Sequence, residues 1–217
     1  MIRTVAFDIG ETLVRDDRYW ATWADWLDVP RHTVSALVGA VVAMGRDNAD
    51  ALRLIRPGLD VAVERAAMEV AGRGERLDES DLYPDARPAL ARLQAAGYRV
   101  VIAGNQTVKA GELLRALDLP ADLIATSGEW GVAKPDDAFY AQVIGAAGCE
   151  PGEILYVGDH PENDLLPAKA AGLQAAQLRR GPWGYLWADD TDVALTADLR
   201  IASLTELADR LTGTAPA

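Results

Sequence analysis

The sequence predicts an α/β protein: a three-layer α/β/α arrangement around a parallel sheet, with a small helical segment inserted after the first strand. Three observations lead there. From Pro84 onward, short apolar runs alternate with segments of helical period, joined by short connections, the pattern of parallel strands linked by crossover helices. Two apolar runs, Val5–Asp8 and Ile154–Asp159, stop at an aspartate and then turn. Between the first run and Pro84 a helical rhythm continues with no clear strand.

Taken in order, residues 2–8 read as a buried strand. Tyr19, Trp23 and Trp26 then fall at i, i+4 and i+7; Val34, Leu37, Val38 and Val41 repeat the rhythm. Leu59, Val63, Ala66 and Val70 do so again after the Pro57-Gly58 turn. Residues 15–83 therefore read as a helical cap domain, and residues 1–14 with 84–217 as the α/β core. A Trp-rich helix in so small a unit is read as its core, with a pocket lining of Trp20, Trp23 and Trp26 as the alternative. Pro88–Ala96 has the proline near its start and Gly97 as its stop, which marks a helix. Tyr98–Ala103 is a strand, Val108–Leu117 a helix opened by Thr107, and Leu123–Thr126 a strand. Asp137–Ala147 is a helix closed by Gly148, Ile154–Val157 a strand, Asp164–Ala171 a helix closed by Gly172, and Gln174–Leu178 a strand. Ser203 and Glu206 form a capping box for the last helix. The whole is a Rossmann-like sheet with one insertion.

Half of the 217 residues are apolar, enough for a proper core. The formal net charge is −12; a nucleic-acid-binding surface needs a basic field, so nucleic acid is not an expected partner. Cys149 is the one cysteine, which leaves no disulfide within the chain and reads as a buried thiol. No apolar run approaches membrane-spanning length. The first residues lead straight into a strand, so neither a leader nor a membrane partner is expected, and the expected location is cytoplasmic. Gly213–Ala217 are expected to fray.

Side chains at the carboxyl ends of neighbouring parallel strands converge on one crevice, where such sheets bind ligands. Asp8 and Asp159 stand at two such ends. Converging carboxylates repel one another, and a cation between them relieves the repulsion; hard oxygen ligands suit Mg²⁺. The plainer alternative is that both aspartates merely terminate their strands.

Asp8-Ile9-Gly10-Glu11-Thr12-Leu13 resembles the first motif of the haloacid dehalogenase superfamily, Asp-x-Asp-x-Thr. Gly158-Asp159-His160-Pro161-Glu162-Asn163-Asp164 resembles its fourth. Lys134-Pro135 falls where the third belongs, and Val100–Asn105 where the second does. The four motifs in order span nearly the whole chain. The resemblance implies a type-1 helical cap and a set of roles. Asp8 would be the nucleophile that forms an aspartyl-phosphate. Mg²⁺ would be held by Asp8, the Gly10 carbonyl, Asp159 and Asp164, and Lys134 would neutralise charge on the phosphate. Thr12 would hydrogen-bond near Asp8 or serve only its turn. The chain departs from the pattern twice: Gly10 replaces the acid–base aspartate, and Gly104 replaces the serine or threonine of the second motif. Glu11, adjacent and one methylene longer, is a candidate for the missing proton transfer; alternatively it faces solvent. Asn105 and Gln106 are candidate amide donors to substrate, or turn residues. Arg179 and Arg180 follow a strand and read as a surface pair rather than a second anion site. His160 is expected to shape its loop.

The resemblance implies a Mg²⁺-dependent hydrolase of a small phosphorylated metabolite. Two other readings stand beside it. One is a phosphometabolite-binding protein without catalysis, favoured by Gly10 and Gly104. The other is carbon–halogen hydrolysis through Asp8, which needs no leaving-group proton but sits poorly with an acidic fourth motif.

Overall fold

The computed structural model describes residues 1–213, so Gly213 is the only described residue of the tail expected to fray. The chain forms two compact units, residues 16–76 and residues 1–15 with 77–217. Arg15 and Leu77–Tyr83, placed with the helical insertion from the sequence, belong to the larger unit.

The larger unit holds strands β1 (Thr4–Phe7), β2 (Arg99–Gly104), β3 (Leu123–Thr126), β4 (Ile154–Gly158), β5 (Gln174–Leu178) and β6 (Leu199–Ile201). They form one parallel sheet in the order β3-β2-β1-β4-β5-β6. The chain winds outward from β1 to β3, returns to β4, and winds outward the other way. The switch point therefore lies between β1 and β4, whose register pairs Phe7 with Val157. Asp8 and Asp159 leave the sheet at that point, where ligands of such folds bind.

The two-residue period of the strands divides the core. Val5, Phe7, Val100, Ile102, Leu155 and Val157 pack on one face with α5 (Ala86–Ala95) and α12 (Leu204–Thr212). Ala6, Val101, Ala103, Ile154 and Tyr156 pack on the other with α8 (Asp137–Ala147) and α9 (Leu166–Ala170). Both faces are thus closed, the three-layer arrangement that the alternation implied. Helices α6 (Val108–Ala116), α7 (Ser127–Trp130), α10 (Gly181–Leu186) and α11 (Thr191–Thr196) complete this unit. Thr107 caps α6 through the Ala110 amide, and Gly148 ends α8 in the left-handed region at φ 66°.

Two helices of this unit differ in their detail from expectation. Residues Pro161–Leu165 form a single π-helical turn, and only Leu166–Ala170 continue as α-helix. Pro167 has no N–H to donate to Asn163, so the α ladder cannot run through it. The Asn163 carbonyl instead accepts from the Tyr140 hydroxyl. At the last helix, Ser203 Oγ accepts from the Glu206 amide as expected, but the Glu206 carboxylate bonds the Ala202 amide rather than that of Ser203.

The smaller unit contains α1 (Asp17–Leu27), α2 (Arg31–Ala43), α3 (Asp50–Ile55) and α4 (Val61–Val70). Trp20, Trp23, Val34, Val38 and Val41 are buried. Trp26 is half-buried and donates its indole N–H to Glu64 at 2.6 Å. The apolar stripe read on α4 does not face inward. Val63 is 63% and Val70 92% exposed, and Met68 is the buried residue. Glu64 binds Trp26 and Arg56, and Arg65 reaches the Tyr19 hydroxyl. Those bonds turn the 61/64/65/68 face inward.

Candidate active site

Asp8 follows β1 and, by strand alternation, shares a face with Thr4 and Ala6. Its amide donates to Val157 O at 2.9 Å, which fixes the strand end beside β4. Lys134, in the connection between α7 and α8, is 7% exposed. Its Nζ lies 2.6 Å from Asp8 Oδ1 and 2.6 Å from Asp164 Oδ1. Asn105 holds the lysine backbone from both sides: its Nδ2 donates to Lys134 O at 2.9 Å, and its Oδ1 accepts from Lys134 N at 2.8 Å. Asn105 thus spends Oδ1 and one of its two amide N–H groups on fixing the lysine. The Gln106 backbone carbonyl accepts from Gly128 N and Ser127 Oγ, which ties this loop to α7.

Asp164 sits on the π-helical turn, where its Oδ2 accepts from His160 N at 2.9 Å. A Cβ at Gly158 would come within 2.3 Å of the Asp164 carboxyl carbon, so only glycine admits this placement. Oxygens of Asp8, Asp159 and Asp164 all lie within 4.8 Å of one another, and all three residues are buried. Asp159 Oδ2 is buried with no hydrogen-bond partner, an orphaned anionic oxygen of the kind that costs several kcal/mol or neutralises.

The electrostatics follow from that crowding. Burial, together with the neighbouring Asp164, raises the Asp8 carboxyl to about 6 against the pull of Lys134. Burial, with Asp164 and Asp8 adding to it, pushes Asp159 well above the usual carboxylate range. For Lys134, burial works against the ammonium, but Asp164 and Asp8 outweigh it and hold its pKa above normal. Three carboxylates around one ammonium leave the cluster short of positive charge. A hard divalent cation fits the donor set and the orphaned oxygen.

Around this centre the structure adds Tyr83, which the sequence did not single out. The Tyr83 hydroxyl donates to Glu11 Oε2; burial and that carboxylate raise its pKa far above the ordinary phenol value. Arg180 is not a surface residue: it is 9% exposed, donates to Thr12 O at 2.8 Å and pairs with Asp85 at 2.6 Å. Arg179 is the exposed member of that pair, 3.5 Å from Asp189. Thr12 is fully buried, and its Oγ1 has no hydrogen-bond partner. Gly104 carries no hydroxyl, and a Cβ there would lie 2.5 Å from Asp8 Oδ1. His160 accepts from the Asn163 amide and stacks on Trp183 at 3.7 Å, with Trp187 stacked beyond it at 5.1 Å. Trp183 lies in α10, only six residues long, and Trp187 is the residue that ends it, too short a stretch for a period to show. Cys149 is only partly buried, 3.4 Å from Thr4 Oγ1. No helix among the described residues is long and apolar enough to cross a membrane.

Residues 2–172 match the haloacid dehalogenase-like hydrolases. A phosphoserine phosphatase of Thermus thermophilus is 30% identical over 76% of this chain and 75% of its own length. A glyceraldehyde 3-phosphate phosphatase of Methanocaldococcus jannaschii is 32% identical over 58% of this chain and 55% of that one. Among solved structures, a putative haloacid dehalogenase-like hydrolase of Bacteroides fragilis superposes with a TM-score of 0.69 at 18% identity, covering 95% of this chain and 100% of that one; it shares the fold.

Proposed function

We propose that this chain, which belongs to the haloacid dehalogenase-like hydrolase family, is a phosphatase of a small phosphorylated metabolite that works through a phosphoryl group carried on Asp8. One observation carries the reading: Asp8, at the end of the central strand, is held 2.6 Å from the Lys134 ammonium inside a buried acidic cluster. The phosphatase names of the two curated relatives support the substrate class.

In the first half-reaction an Asp8 oxygen bonds to phosphorus while the bond from phosphorus to the leaving oxygen breaks. In the second, a water oxygen bonds to phosphorus, the bond to Asp8 breaks and orthophosphate departs. Lys134 balances charge on the phosphoryl oxygens as it builds. Mg²⁺ would be held by Asp8, Asp159, Asp164 and the Gly10 carbonyl. When bound it supplies positive charge to the phosphoryl group and relieves the repulsion among the three acids. Gly10 offers no proton to the leaving oxygen, so esters with basic leaving groups depend on another donor, and acyl phosphates need one least. Glu11 is the residue assigned to that proton transfer. Thr12, Gly104 and Gln106 border the phosphoryl position. The helical unit after β1 is the cap, the part that selects the substrate.

A panel of alkyl phosphates, aryl phosphates and acyl phosphates, assayed with and without Mg²⁺, tests the reading. Mg²⁺-dependent turnover that disappears in Asp8→Asn is the expected result. A wild-type protein inert across the panel, yet binding phosphometabolites, would replace the enzyme with a binding protein.

A further inference from the structure

Tyr83 lies outside all four motifs, yet three parts of the larger unit meet on it. Its hydroxyl donates to Glu11 Oε2 at 2.5 Å. The Arg180 guanidinium lies over its ring, 3.9 Å from the centroid. Arg180 is tied in turn to Thr12 O and Asp85, and the same Asp85 oxygen accepts from the Leu204 amide at 2.9 Å. Arginine stacked on an aromatic face with its donors satisfied is a rigid fixture.

Glu11 itself is unusual. Its φ is 52°, in the left-handed region that few non-glycine residues occupy. Gly181 faces its side chain. A Cβ built there would lie 2.5 Å from Glu11 Cβ and 3.0 Å from Asp159 Oδ2. Glu11 thus stands between a tyrosine that grips its carboxylate and a glycine whose missing side chain leaves room beside Asp159.

We propose that Tyr83, braced by Arg180, is a positioning residue that orients Glu11 for the proton transfer left vacant by Gly10. This rests on the phosphatase reading above. In the transfer it serves, the Glu11 carboxyl gives its proton to the leaving oxygen as the phosphorus–oxygen bond breaks. The resulting carboxylate recovers a proton from the water that attacks phosphorus in the second half-reaction. Tyr83 keeps its own proton and fixes the rotamer; it does not touch the reacting atoms.

Tyr83→Phe removes the hydroxyl and leaves the ring under Arg180, so the brace survives. We expect kcat for alkyl phosphates to fall about tenfold or more, a part of what acid–base catalysis supplies, and kcat for acyl phosphates by about twofold at most. KM and the calorimetric Mg²⁺ affinity should hold. Glu11→Gln should show the same dependence on the leaving group, and adding Tyr83→Phe to it should cost little more, because the two act as a unit. An equal loss on both substrate classes, or losses that multiply in the double variant, would overturn the assignment of Tyr83 while leaving the phosphatase reading intact. A wild-type enzyme inert on the entire panel would remove both.

Discussion

Gly104 and Gly10 both stand where the motif resemblance expects a functional side chain, and their consequences differ. A Cβ at position 104 would lie 2.5 Å from Asp8 Oδ1 and 3.2 Å from the Ile9 side chain. Gly104→Ser should therefore push Asp8 off Lys134 rather than restore a phosphate donor. Steady-state kinetics are expected to show a lower kcat than wild type; a gain would mean that Asp8 has room to move. At position 10 the missing group is chemical. Gly10→Asp should raise turnover of alkyl phosphates within the roughly 10²–10⁴ that acid–base catalysis contributes, and Asp8→Asn should abolish hydrolysis in either background. Asp159 has the orphaned oxygen. Asp159→Asn should weaken Mg²⁺ binding markedly in calorimetry, and equal affinity in both proteins would remove Asp159 from the ligand set.

The elements that carry the site are held by local devices. Helix α8 starts at Asp136, whose side chain accepts from the Ala138 amide, and it buries Phe139 and Tyr140 beside Lys134. Losing such an N-cap costs about 1 kcal/mol. Asp136→Ala should lower the urea midpoint by a corresponding amount while Mg²⁺ dependence persists. The turn from β5 into α10 is less forgiving. Gly181 has φ 65°, and its added Cβ would meet Glu11 and Asp159. Gly181→Ala combines backbone strain with a collision, so a loss of more than about 1 kcal/mol is expected. Unchanged stability and unchanged kinetics together would show that this turn can shift away from the acidic cluster.

Over the molecule as a whole, the acidic cluster couples folding to pH, and would couple it to a cation held there. Burial raises Asp8 from 3.8 to about 6 and pushes Asp159 upward as well. A carboxyl whose pKa is higher in the folded chain than in the unfolded one stabilises the fold fully below its unfolded value. That contribution is lost as pH rises through the folded value. In the metal-free protein, Asp8 therefore withdraws its contribution between about pH 4 and pH 6. Mg²⁺ held by these acids would need their ionised forms and the folded chain, so the stability it adds would grow across the same interval. Thermal unfolding at acidic and at mildly alkaline pH, with and without Mg²⁺, should show the larger Mg²⁺ shift at the higher pH. Equal shifts would contradict a cation held by this cluster.

The sequence by itself determined the layered architecture and the ends of the strands that carry the acids. Apolar periods of two and of about 3.6 are local properties of the chain, and a strand that stops at an aspartate announces where its side chain will stand. The motif resemblance supplied Lys134, 126 residues from Asp8, which no periodicity could have paired with it. Tertiary structure decided the remainder. The short strand β6, with exposed Arg200 at its middle, gave no readable alternation. Apolar spacing on α4 could not reveal that Trp26 and Arg56 would turn Glu64 inward. Asn105 spends its amide on Lys134, 29 residues away. Tyr83 reaches Glu11 across 72 residues, and Arg180 reaches Thr12 across 168. Such partners are chosen by where the crossovers bring chain segments together, and by the cost of leaving a buried polar group without a bond. Neither is written in the spacing of residues along one element.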